Sequence, residues 1–130
     1  MTQYKPHGTC SILVEGNLMI IKAQGPWNDE YIDCLHQDLI LVSQSIDINN
    51  YGILLNLYGE ALAVNSGVKK HFDFVRRSNT KAIAINLAEC HTREMTKTIF
   101  SKIYDQADIR SAIFLDEISA KTWLLEQLHN

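Results

Sequence analysis

Ser66 lies in the stretch Val64-Asn65-Ser66-Gly67, between a polar loop and a helical pattern. A hydroxyl at a helix amino terminus faces unpaired amides and the positive end of the dipole, so an added phosphate of about −1.5 to −2 charges is tolerated there. Ser66 is therefore a candidate phosphoacceptor, and Asn65 beside it a candidate contact for whatever approaches. The plainer reading makes Asn65 or Ser66 a helix cap, worth about 1 kcal/mol. Cys90-His91 offers a second chemistry, because a thiol between a strand and a helix start can be acidified into a nucleophile. Adjacent side chains point apart, however, and no third orienting group is evident. A partly buried thiol beside a surface imidazole is the plainer reading of that pair.

Trp27 follows Gly25-Pro26 and is either a lid over the core or an aromatic contact for a partner. Tyr58 and Glu60 come at the end of an apolar run, so Trp27, Tyr58, Glu60, Cys90 and His91 are together candidate partner or ligand contacts. Cys34 and His36 fail as a metal pair, since positions two apart on a helix do not face each other. The sequence has no dinucleotide glycine motif, phosphate loop, paired-cysteine site or zinc-protease helix. No catalytic residue, metal or cofactor is therefore expected, and the chain reads as non-enzymatic.

Composition narrows the class of protein. A length of 130 residues with 46% apolar and 21% charged residues predicts one domain over 1–130 without a linker. A net charge of −3 disfavours nucleic acid, whose affinity rests on many cationic contacts to phosphates. Three widely spaced cysteines do not make a disulfide framework and point to a reducing, cytoplasmic setting. The longest aliphatic helical run, Leu39 to Val42, is far short of the roughly 20 residues that span a bilayer, so no membrane insertion is expected.

The elements that must position these residues follow from periodicity. Cys10–Val14 and Leu18–Ala23 flank Glu15-Gly16-Asn17 and predict a hairpin. Asn28 or Asp29 starts a helix to about Ile46, with an inward stripe of Ile32, Leu35, Leu39, Val42 and Ile46. Tyr51–Tyr58 reads as a strand buried on both faces. After a loop over Gly59–Val64, Val68, Phe72 and Val75 line a second helix. Lys81–Leu87 is the next strand, and Met95, Ile99, Ile103 and Ala107 line a third helix. Ser111–Leu115 is the last strand, and Asp116 caps a final helix whose inward residues are Ala120, Trp123, Leu124 and Leu128. The fold class is α/β: an amino-terminal hairpin leading into a mixed, mostly parallel five-stranded sheet flanked by four helices. In such sheets a site is expected beyond the carboxyl ends of the strands.

This order resembles the sulphate-transporter and anti-sigma-factor-antagonist domain, STAS, over nearly the whole chain. In that family the central strand ends Asp-Leu-Ser-Gly, and four residues later comes Asp-Ser-Ser-Gly, whose second Ser opens a helix and is the phosphoacceptor. Here Asn56-Leu57-Tyr58-Gly59 is followed at the same spacing by Val64-Asn65-Ser66-Gly67. Leu57, Gly59, Ser66 and Gly67 match; Asn56, Tyr58, Val64 and Asn65 depart, so the phosphorylation loop is degenerate. The ending with Ala120 and Trp123-Leu124 is similar to that of uncharacterised SpoIIAA-like bacterial proteins. The resemblance implies a regulatory, protein-interaction module with a protein partner, a phospho-switch at Ser66, and homodimerisation within reach of so small a domain. The alternative from another class is a small-molecule or lipid-binding domain with a pocket at the carboxyl edge of the sheet.

Overall fold

The computed structural model describes residues 9–62 and 65–129. The side chains of Thr9 and Asn65 lie outside that description, and with them the expected contact at Asn65. The elements are β1 (Thr9–Glu15), β2 (Leu18–Gln24), α1 (Asp29–Ser43), β3 (Gly52–Tyr58), α2 (Asn65–Arg76), β4 (Ala82–Asn86), α3 (Arg93–Gln106), β5 (Arg110–Phe114) and α4 (Glu117–Leu128). β1 pairs antiparallel with β2 through a turn in which Gly16 takes a φ of +57°, a conformation costly for a residue with a Cβ. From β2 onward the strands pair in parallel and in chain order, β2-β3-β4-β5. The α/β sheet expected from the sequence is the one observed.

Strand order dictates where the helices go. Each new parallel strand is added on the same side of the last, and right-handed crossovers then place every connecting helix on one face. α1, α2 and α3 accordingly share one core with Met19, Ile21, Ile53, Leu55, Leu57, Ile83 and Ile85. The last helix has no further strand to reach and covers the other face, where Ala120, Leu124 and Leu128 meet Leu18, Ile20, Leu54, Ala82 and Ala84. β3 is buried on both sides from Gly52 to Leu57.

Several boundaries and faces differ from expectation. α1 ends at Ser43, because Gln44, Ser45 and Ile46 donate to carbonyls three residues back and tighten into a turn. Its inward face also includes Tyr31. On α3 Met95 is 60% exposed, which corrects its place in the inward stripe. Thr96 is the residue turned inward, since its hydroxyl donates to the Ala61 carbonyl at 3.1 Å. Asp116 caps α4 as expected by accepting from the Ser119 amide at 2.7 Å.

The connections at the carboxyl edge are laced together through backbone. The Trp27 amide donates to Leu62 at 2.9 Å, Gly59 donates to Glu89 at 3.1 Å, and His91 donates to Gly59 at 2.7 Å. Gly25 allows the closest approach, because a Cβ there would lie 2.2 Å from the backbone oxygen of Glu60. Gly25→Ala is expected to lower unfolding stability by about 1–3 kcal/mol, read as an earlier urea midpoint. An unchanged midpoint would contradict the close approach.

Candidate functional site

α1 and α2 lie side by side and run parallel, as helices following adjacent parallel strands must. Their contacts form rungs at helical spacing. The Ser66 hydroxyl donates to the Asp29 carboxylate, 2.9 Å from each oxygen. One turn further, Lys70 pairs with Asp33 at 3.1 Å. A turn beyond that, the His36 ring stacks flat on Phe74 with centroids 3.9 Å apart, and its Nε2 lies 3.1 Å from Nδ1 of His71. The outer rungs are exposed, so each contributes little.

The inner rung reaches deep into the layer. His71 Nε2 is 2.9 Å from the hydroxyl of Tyr104, a residue only 1% exposed on α3. Burial lowers the pKa of His36 to about 4, the Asp33 carboxylate opposing that shift, and burial together with the His36 ring lowers His71 to about 3. Burial raises the Tyr104 hydroxyl far above its ordinary value. All three groups are therefore neutral near pH 7.

Beneath this seam lies a cleft of about 390 Å³ that opens at the amino ends of β2, β3 and β4. Its mouth is formed by Ile40, Ile48 and Arg77, and its inner wall by Ile21, Leu55, His71 and Tyr104. A smaller, wholly apolar void of about 40 Å³ shares Ile21, Leu55 and His71 with it and extends under Trp27, Gly67 and Phe100.

The residues singled out from the sequence do not gather at one place. Ser66 is exposed within the first turn of α2, turned across to α1 instead of capping its own helix. Trp27 is only 5% exposed, packed against Tyr31 and edge-on to Phe100. Tyr58 is on the opposite face of the sheet, in a shallow groove with Lys22 and Gln24. Glu60 is exposed. Cys90 is buried, its sulfur 3.5 Å from Thr96 and 3.7 Å from Thr92 hydroxyls, while the side chain of His91 is exposed. Two open grooves lie at the carboxyl edge, one beside Tyr58 with Lys22 and Gln24 and one beside Cys90, His91 and Arg93. That edge is laced by backbone bonds, and the cleft opens at the other end of the strands.

Asn56, which stands where the STAS pattern has Asp, is buried and accepts from Asn86 at 2.9 Å, and its own Nδ2 has no hydrogen-bond partner among the described residues. Among the described residues no group of three or more His, Cys, Asp and Glu could hold a metal ion, and no helix is long and apolar enough to cross a membrane.

By sequence, no protein-family model matches the chain and no curated protein matches it significantly. By fold, it is similar to the crystal structure of an uncharacterised DUF3478-family protein with a SpoIIAA-like fold from Shewanella loihica PV-4. The TM-score is 0.64 at 14% identity, over 95% of this chain and 98% of that one. This chain has a SpoIIAA-like fold. The likeness spans 95% of the chain, so the backbone framework is alike while side chains differ at most positions.

His36, His71 and Tyr104 were not singled out by sequence reasoning. The available signal was their placement: His71 falls between Val68 and Val75 on the apolar stripe of α2, and Tyr104 beside Ile103 on that of α3. Both histidines bind protons more readily in the unfolded chain, with a pKa near 6.5, than in the fold. Their contribution is therefore complete above about pH 6.5 and is lost as the pH falls toward their folded values. In urea titrations between about pH 4.5 and 6.5, His36→Asn/His71→Asn is expected to show a stability slope flatter than the unsubstituted protein's by up to about 1.4 kcal/mol per pH unit for each histidine. Equal slopes would contradict the assignment.

Proposed function

We propose that the chain is a non-enzymatic, SpoIIAA-like regulatory module that engages a protein partner, with Ser66 as the group that is modified. The observation that carries this reading is the exposed Ser66 hydroxyl on the α1–α2 seam, donating to Asp29 across the two helices. A phosphate on that oxygen replaces a donor with about −1.5 to −2 charges. The positive dipole end of α2 favours the anion, while Asp29 and Glu30 at the start of α1 oppose it. The modification therefore turns one rung of the seam from attraction to repulsion and loosens α1 from α2. The surface a partner would meet, the first turns of both helices, changes in charge and in spacing together.

A second reading is supported by the cleft. Its volume of about 390 Å³ falls within the roughly 300–1,000 Å³ of small-molecule sites, and its walls are mostly apolar. In this reading the domain binds a small apolar molecule between α1, α2 and the sheet. The two readings are compatible, since the seam that Ser66 holds is the roof of that space.

Intact-mass measurement and phosphosite mapping of protein purified from its native cell test the first reading. A phosphate on Ser66 in a fraction of the molecules is the expected result. Uniformly unmodified protein, or modification confined to other residues, would contradict it.

A further inference from the structure

We infer that the inner end of the cleft recognises an uncharged, hydroxyl-bearing apolar molecule through the Tyr104 hydroxyl, which His71 and His36 hold in place. This rests on the second reading, that the cleft is a small-molecule site.

A tyrosine hydroxyl has one donor and two acceptor positions. Among the described residues that of Tyr104 makes one hydrogen bond, to His71, and both side chains line the cleft. The chain of contacts allows two proton arrangements. In one, Tyr104 donates to Nε2 of His71, and Nδ1–H of His71 donates to His36. In the other, His36 donates to Nδ1, and Nε2–H of His71 donates to the Tyr104 oxygen, which frees the phenolic proton. Both arrangements leave an acceptor position on Tyr104, and only the second leaves a donor. A ligand hydroxyl, which donates and accepts, is matched by either one. A carboxylate only accepts, so it needs the second arrangement, and it brings a charge to a place with no cation beside it.

Of the remaining polar groups of the cleft, Ser43 donates to the Ile40 carbonyl at 2.6 Å and Asn79 is exposed. Tyr51, Thr80 and Ser78 lie near the mouth and are bonded to one another at 2.8 and 2.9 Å. The cation among the lining residues is Arg77, exposed at the mouth, where water screens it. Between mouth and inner end the walls are aliphatic, with Leu35, Leu39 and Ile53 among them. The arrangement suits an alkyl or ring body that enters past Ile40 and Ile48 with its hydroxyl leading.

The test is displacement of the neutral dye phenylnaphthylamine from the full chain at neutral pH by n-decanol, by its methyl ether and by decanoate. The alcohol is expected to displace the dye at a concentration about 3- to 10-fold lower than the ether, with decanoate weaker than the alcohol. In Tyr104→Phe alcohol and ether should become equal. The ranking on the unsubstituted protein decides the matter even if that variant fails to fold. Decanoate binding tightest, with the preference lost in Arg77→Ala, would overturn the inference by placing the head group at the mouth. Equal displacement by all three would overturn the head-group assignment while leaving the cleft a binding site. A dye that never binds would remove the cleft reading and this inference together.

Discussion

Covering β3 on both faces is the constraint from which the rest of the architecture follows. Gly52 to Leu57 are all buried, and a strand apolar on both sides cannot be left against water. Because the parallel strands are added in one direction, three crossover helices must share one face and α4 alone takes the other. The lone helix fits closely through small residues, with Ala82, Ala84 and Ala120 all fully buried. The crowded face is different. Three helices lie over Ile, Leu and Met side chains, they meet one another along seams, and the seam between α1 and α2 spans a space of about 390 Å³ that side chains do not fill.

That seam is polar along its exposed side and apolar beneath. Carboxylates of α1 meet a hydroxyl and an ammonium of α2, and the histidine pair then carries polar contact inward to Tyr104. Exposed pairs of this kind contribute little, whereas the buried apolar faces of both helices contribute most of their attachment. The exposed side of the seam is consequently held by weak polar contacts, and Ser66 makes one of them. The proposed modification at one end and the proposed ligand at the other act on the same helix pair.

Periodicity made most of the fold legible. Apolar runs on either side of Glu15-Gly16-Asn17 marked the hairpin, and the doubly apolar run Tyr51–Tyr58 marked the central strand, with ends misplaced by a residue or so. It was less reliable for the helix faces. Met95 fits the spacing of α3, yet a hydroxyl bond from Thr96 to Ala61 fixes a neighbouring face inward. The candidate site was legible only in part. Ser66 could be placed at a helix start from spacing, but its partner Asp29 is 37 residues away. Trp27 and Cys90 read more plainly as buried than as contacts from their types, and both are core. His71 was hidden because its neighbours come from α1 and α3, and a sequence pattern reports which face a residue occupies without reporting what it meets there. The cleft was not legible either, since it opens at the amino ends of the strands, away from the edge that backbone bonds from Gly59 and Trp27 lace.

The most direct test of this account is native-state hydrogen exchange resolved by residue. A seam held by weak exposed contacts should open while the sheet, buried on both faces of β3, stays intact. Amides of α1 and α2 around Leu35 and His71 should therefore exchange through local openings of lower free energy, and weaker denaturant dependence, than those of Leu54 and Leu55 in β3. Exchange of both helices only with the sheet, at one common free energy, would contradict it.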